Sequence, residues 1–136
     1  MVSIKTILKD VYDNVKDVCS KTYLQERPES VSPKLNDFLV IRATNGFRNG
    51  EIDPRGGYEY YETTIRFEVF VRDKVTDKNP NGIDINTMDT KVSSLSNLIP
   101  FYTEHLKVTE PRVTISIKDG DGFHVTFIVA ELTTLV

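Results

Sequence analysis

A single cysteine, Cys19, stands among 136 residues, so no disulfide can close within the chain. There is also no Asn-x-Ser/Thr sequon. Both absences predict folding in a reducing cytosol. No apolar run approaches the roughly 20 residues that cross a bilayer, so no membrane partner is expected. Lys5, Lys9 and Asp10 interrupt the first apolar positions, so the unbroken apolar core of a signal peptide is not expected there. A basic excess is missing too. Lys and Arg number 17 against 20 Asp and Glu, for a formal charge of -3, and a nucleic-acid reader usually carries the opposite balance. Sequence-specific nucleic acid is therefore not an expected partner.

Chemistry-bearing motifs are equally scarce. The two histidines, His105 and His124, have no Cys, His or carboxylate at ligand spacing. No serine sits in a nucleophile elbow. The glycines at 46, 50, 56 and 57 do not follow a strand and open a helix, as a phosphate cradle requires. Glu62 and Glu68 are about 20 Å apart along an extended chain, too far for paired acid–base work. Lys118-Asp119-Gly120-Asp121-Gly122-Phe123 looks like the middle of a calcium loop. With Asp119 and Asp121 at loop positions 3 and 5, however, the ligand positions 1 and 12 fall on Ile117 and Ile128. A hairpin turn, with glycine supplying positive φ, is the better account of this string. No catalytic residue, cofactor or metal is therefore assigned, and the chain is not expected to be an enzyme.

The residues that are present describe one domain, 1–136, with 39% apolar and 27% charged residues. Ile4, Ile7, Leu8, Val11, Val15, Val18 and Cys19 form one stripe of an amphipathic helix over 4–23, with Ser3 as N-cap. Cys19 lies on that stripe as a buried structural thiol. Residues 25–36, with Pro28 and Pro33, read as a loop, and Phe38–Ala43 as a strand covered on both faces. Asn45-Gly46, Asn49-Gly50 and Asp53-Pro54-Arg55-Gly56-Gly57 predict a long loop. From Tyr58 to Arg72 the odd positions Tyr61, Thr63, Ile65, Phe67, Val69 and Val71 alternate with a more polar set, giving a strand whose odd face meets the core.

Fifteen extended residues span about 50 Å, against a body roughly 37 Å across. Either this strand bends at a bulge, or its start projects as an arm with the 44–57 loop at its tip; the arm is favoured. A second helix follows, capped by Asp84 or Asn86, with Ile85, Met88, Val92, Leu95, Leu98 and Ile99 as its stripe and Pro100 at its end. Phe101–Pro111 reads as a connector. Arg112–Lys118 and Phe123–Ala130 read as a hairpin, with Val113, Ile115 and Ile117 facing Phe123, Val125, Phe127 and Val129. The expected fold class is α+β. It is a two-layer sandwich in the order α-β-β-α-β-β, with a mostly antiparallel four-stranded sheet and both helices on one face. A long loop or β-arm is expected at about 44–60. Tyr60, Arg66, Phe70, His124, Thr126 and Ile128 fall on the other face, which is either covered by a partner or half-covered by the chain's own loops.

Phe47, Tyr58, Tyr60, Glu62, Arg66, Glu68 and Phe70 are the candidate interface residues. Tyrosines beside a glycine-rich tip suit protein contact, and Glu62, Arg66 and Glu68 form a solvated or interfacial charge row. The element order runs from Ile4–Cys19 through Phe38-Leu39-Val40-Ile41, the long strand Thr63–Arg72 and Asn86–Ile99 to a final hairpin. It resembles the tail terminator and tail completion proteins of tailed bacteriophages. The likeness is one of pattern over nearly the whole chain; no signature motif carries it. It implies a non-enzymatic structural virion subunit, assembled in the bacterial cytoplasm. Such a subunit forms a homo-oligomeric ring at the head–tail junction by packing a sheet edge and the 44–62 arm onto its neighbour, and binds tail tube or connector proteins above and below. The alternative is an adaptor or inhibitor module that binds a protein through its open sheet face.

Overall fold

The structure is a computed structural model that describes residues 3–44, 46–49, 61–114, 117–119 and 121–134. Helix α1 spans Ile4–Val15, and Ser3 caps it by accepting from the Thr6 amide at 3.2 Å. Its buried stripe is Ile7, Val11 and Val15. The helix ends at Val15 rather than running on to 23. Asp37 accepts from the Ser20 amide at 2.7 Å and the Ser20 hydroxyl at 3.0 Å, which draws the chain out of the helix. The next residues form a short strand, β1 (Thr22–Leu24), parallel to β2 (Asp37–Ala43). Val18 and Cys19 stay buried, but in the turn between α1 and β1.

The remaining elements are β3 (Arg48–Asn49), β4 (Tyr61–Arg72), α2 (Ile85–Leu98), β5 (Phe101–Tyr102), β6 (Leu106–Val113), β7 (Ile117–Lys118) and β8 (Phe123–Thr134). The sheet order is β1-β2-β4-β8-β6-β5, with β3 added to β4 and β7 to β8. The expected four-stranded, mostly antiparallel sandwich is therefore corrected. The sheet is mixed, has eight strands among the described residues, and curls into a half-barrel. Three causes account for the difference. A parallel neighbour needs a crossover of about a dozen residues, and segment 25–36 is that crossover, between β1 and β2. The expected connector 101–111 pairs instead as β5 and most of β6. A bulge between Thr109 and Arg112, with Glu110 at φ 57, breaks the alternation that would have marked β6, and Pro111 sits in that bulge, where a strand tolerates it.

Two clusters fill the interior, one on each face of the sheet. On the helix side, Ile7, Val11 and Val15 of α1 and Met88 and Leu95 of α2 meet Ile65, Phe67, Val69 and Val71 of β4 and Ile128, Ala130 and Leu132 of β8. The registers Phe67↔Ile128 and Val69↔Thr126 place odd residues of β4 beside even residues of β8. The expectation for β8 is thus reversed. Its even residues His124, Thr126 and Ile128 lie on the helix side and are buried. Val113, which pairs with Ile128, and Ile117, which pairs with Val125, are 54% and 52% exposed. Ile85 and Leu98 flank the α2 stripe and are also exposed. Asp84 caps α2, accepting from the Thr87 amide and hydroxyl at 3.2 and 2.8 Å.

On the far side, Phe38, Val40, Phe70, Phe123 and Val125 form the second cluster, closed by Val31 and Leu35 of the crossover segment. Two arginines hold that segment down. Arg72 donates to the carbonyls of Leu35 at 2.8 Å and Ser32 at 3.2 Å, while lying 4.6 Å over the Phe123 ring. Arg27 lies over the Phe70 and Phe38 rings and pairs with Asp119 and Asp121 of the β7–β8 turn. In that turn Gly122 adopts φ +82, and the Asp119 amide donates to the Phe123 carbonyl at 2.8 Å. The two acids of the calcium-like string therefore face an arginine.

Cys19 is 6% exposed. Burial, with Asp37 close by, pushes its thiol up to about 12 from 9.0. The folded state thus favours the neutral thiol. This contributes stability that is fully present below pH 9 and is lost as pH rises toward 12. At pH 8 the native chain is expected to react with iodoacetamide roughly a thousand-fold more slowly than the chain in guanidinium, because only the thiolate attacks. Mass spectrometry against time measures this, and equal rates would contradict the burial.

Candidate protein-interaction surface

Cross-strand register collects a charge row on the far face. Arg42 of β2 pairs with Arg66 of β4, Arg66 with Val129 of β8, and Val129 with Arg112 of β6. Arginines in one row of neighbouring strands repel one another unless carboxylates intervene. One buried group supplies most of that relief. Glu68, 4% exposed, takes Arg42 in a two-point contact at 3.2 and 3.1 Å and Arg66 at 2.7 Å. Glu26 lies 3.7 Å from Arg42, and Glu131 lies 3.4 Å from Arg112. The Arg66 guanidinium also sits 4.8 Å over the Phe127 ring. Its Nε is buried with no hydrogen-bond partner among the described residues.

The crossover segment covers only the Phe38–Phe70–Phe123 half of this face. In the other half, Thr64, Phe127, Val129 and Glu131 are all half-buried, and Arg42 and Arg66 keep 24% and 33% of their side chains exposed. Arginine and an aromatic ring beside aliphatic groups match the composition of protein contact sites.

The sequence-derived candidates divide accordingly. Arg66 and Glu68 meet on this half of the face, with Glu68 buried between the Arg42 and Arg66 guanidiniums, whereas Glu62 is half-buried near the start of β4, away from both. Phe70 is 3% exposed and stacks on Phe38 at 4.4 Å, so its own chain covers it. Phe47 packs partly against the helix-side cluster. Tyr58 and Tyr60 lie outside the described residues, as does the 50–60 part of the expected arm. Where β4 begins, Tyr61 and Glu62 pair with β3, and Glu62 also pairs with Thr133 of β8. The described end of β4 is therefore inside the sheet.

Arg42, Arg112 and Phe127 are not singled out by the sequence pattern. Arg42 closes an apolar run and Arg112 follows a proline, and only the register puts them in one row. The histidines also have definite places. His124 is 1% exposed and its Nδ1 meets Asp73 Oδ1 beyond the end of β4. His105 is 3.9 Å from Glu104. Among the described residues no group of three His, Cys, Asp or Glu could hold a metal ion, and no helix is long and apolar enough to cross a membrane.

A second surface lies across the sheet. Ile83, Ile85, Met88, Asp89, Val92 and Val113 are the main lining of a cleft of about 210 Å³ between α2 and the β6–β8 pair. At its rim Ile85 is 67% and Val113 is 54% exposed. Beyond Val108, β6 has no strand on its outer side among the described residues.

No protein-family model and no curated protein matches this sequence. Solved structures do share its fold. One of them aligns over 100% of this chain and 98% of its own, with a TM-score of 0.62 and 14% identity, a likeness that extends to the fold alone.

Proposed function

We propose that this chain is a structural subunit of a tailed-bacteriophage particle, of the tail terminator or completion type, which closes into a ring at the head–tail junction. The observation that carries this is the unfinished state of the sheet. Among the described residues its β6 edge beyond Val108 and half of its far face are left open, and apolar side chains are exposed at Val113, Ile117 and Ile85. Open strand edges invite pairing with another chain, and symmetric closure satisfies them. The resemblance in element pattern to tail terminator proteins supplies the biological setting. In that setting the ring's own copies are the first partners, and tail tube or connector proteins are the next.

Light scattering on the purified chain tests this. The expected species has a mass several times 15.5 kDa, formed either alone or once tail tube protein is added. A monomer that persists at high concentration with and without tail tube protein would overturn the proposal. An adaptor that used only the open half of the far face would instead stay monomeric and bind one partner with 1:1 stoichiometry.

A further inference from the structure

We infer that Asn81–Gly82 is a site of spontaneous deamidation, held shut by the fold and released by local opening of the 73–84 loop between β4 and α2. The reaction needs only water. The Gly82 amide nitrogen, once it gives up its proton, attacks Asn81 Cγ. The N–Cγ bond forms, the Cγ–Nδ2 bond breaks, and Nδ2 takes up the proton and leaves as ammonia. Water then opens the succinimide to aspartate or isoaspartate, with no change of oxidation state. Glycine obstructs this attack least, because it carries no side chain beside the nitrogen.

Asn81 is exposed, so water reaches its side-chain amide. Its Oδ1 accepts from the Ile83 amide at 3.3 Å, which polarises the Cγ carbonyl for attack. The obstacle is the nitrogen. Gly82 is buried, and its amide donates to the Asn79 carbonyl at 3.1 Å. That bond must break before the proton leaves. The flanking chain is pinned as well. The Lys74 amide donates to the Gly82 carbonyl at 2.7 Å, and the Asn79 side-chain amide donates to the Ile83 carbonyl at 2.7 Å. Gly82 sits at φ +80 against Val75 and Asp73, where an added Cβ would lie 3.1 and 3.2 Å from their side chains. The turn therefore has no room to rotate while the loop is closed.

Local opening is the gate, and the isoaspartate product holds it open. Isoaspartate lengthens the main chain within the turn, so the Lys74–Gly82 and Asn79–Ile83 bonds cannot both reform. Asp84, which caps α2, follows directly.

Ageing the wild-type chain at neutral pH, folded or in concentrated urea, tests this. Mass spectrometry of the tryptic peptide 79–91 reads the conversion of Asn81. The folded chain is expected to convert at least about ten-fold more slowly, because several hydrogen bonds must open together. Asn79→Ala removes the side-chain anchor and keeps the main-chain carbonyl that accepts from Gly82. Its folded rate should rise about five-fold above wild type, the weight of one such bond, with the rate in urea unchanged. A folded wild type that converts as fast as the unfolded chain would overturn the gate. So would an Asn79→Ala variant, shown to be folded by urea titration, whose rate equals that of wild type. If that variant does not fold, the wild-type comparison decides alone.

Discussion

Phe38→Ala is expected to lower the free energy of unfolding by about 3–5 kcal/mol, a large share of the roughly 5–15 kcal/mol that holds a typical domain together. Phe38 is fully buried, stacks on Phe70 at 4.4 Å, and meets Phe123 and Tyr23 edge-on at 5.2 and 5.8 Å. Truncation leaves a void between three rings, and the neighbouring backbone is held in the sheet and cannot collapse into it. The loss extends beyond that void. Arg27 lies over the same rings and holds the crossover segment against the β7–β8 turn. The variant should therefore also be cleaved faster by trypsin within that segment, after Lys34. Phe38→Leu, which refills most of the volume, should cost about 1–2 kcal/mol. Urea titration of the three proteins measures this. A cost below about 1 kcal/mol for the alanine variant would mean that the far-face cluster is not packed as described.

Glu68→Ala is expected to cost about 3 kcal/mol, the lower end of the range for breaking a buried ion pair, because Arg42 and Arg66 retain partial access to water. The mechanism is the directly opposed arginine pair that Glu68 separates. Without the carboxylate, two guanidiniums face each other across neighbouring strands, each having lost its strongest acceptor. Replacing all three groups together, by Arg42→Leu, Glu68→Leu and Arg66→Leu, should therefore be far less damaging than Glu68→Ala alone. If the triple variant is as unstable as the sum of its singles, the three side chains are not one network.

The parts of the fold legible in the sequence are those where one face is apolar and the other is not. Alternation through Ile65, Phe67, Val69 and Val71 identifies the core side of β4, and the stripes and caps identify both helices. Strand β8 defeats the same method because both of its faces are apolar. Phe123 and Val125 enter one cluster while Ile128, Ala130 and Leu132 enter the other, so periodicity alone cannot say which face the helices cover. The register with β4 decides it. Strand β1 is three residues long and exists because a distant carboxylate, Asp37, draws the chain out of α1. Local pattern carries no record of such a contact. The interaction surface divides in the same way. Glu62, Arg66 and Glu68 are visible as a row on one strand. The arginines at 42 and 112 join that row only through pairings between residues far apart in the chain.

In the proposed ring, neighbouring copies finish what a single chain leaves open. Averaged negative-stain images of the concentrated wild-type protein, alone and mixed with tail tube protein, examine that most directly. Closed rings with a central hole and a fixed number of equal subunits are the predicted result. Fields without rings in both samples, from a protein that sediments at 15.5 kDa or as a two-fold dimer, would contradict it.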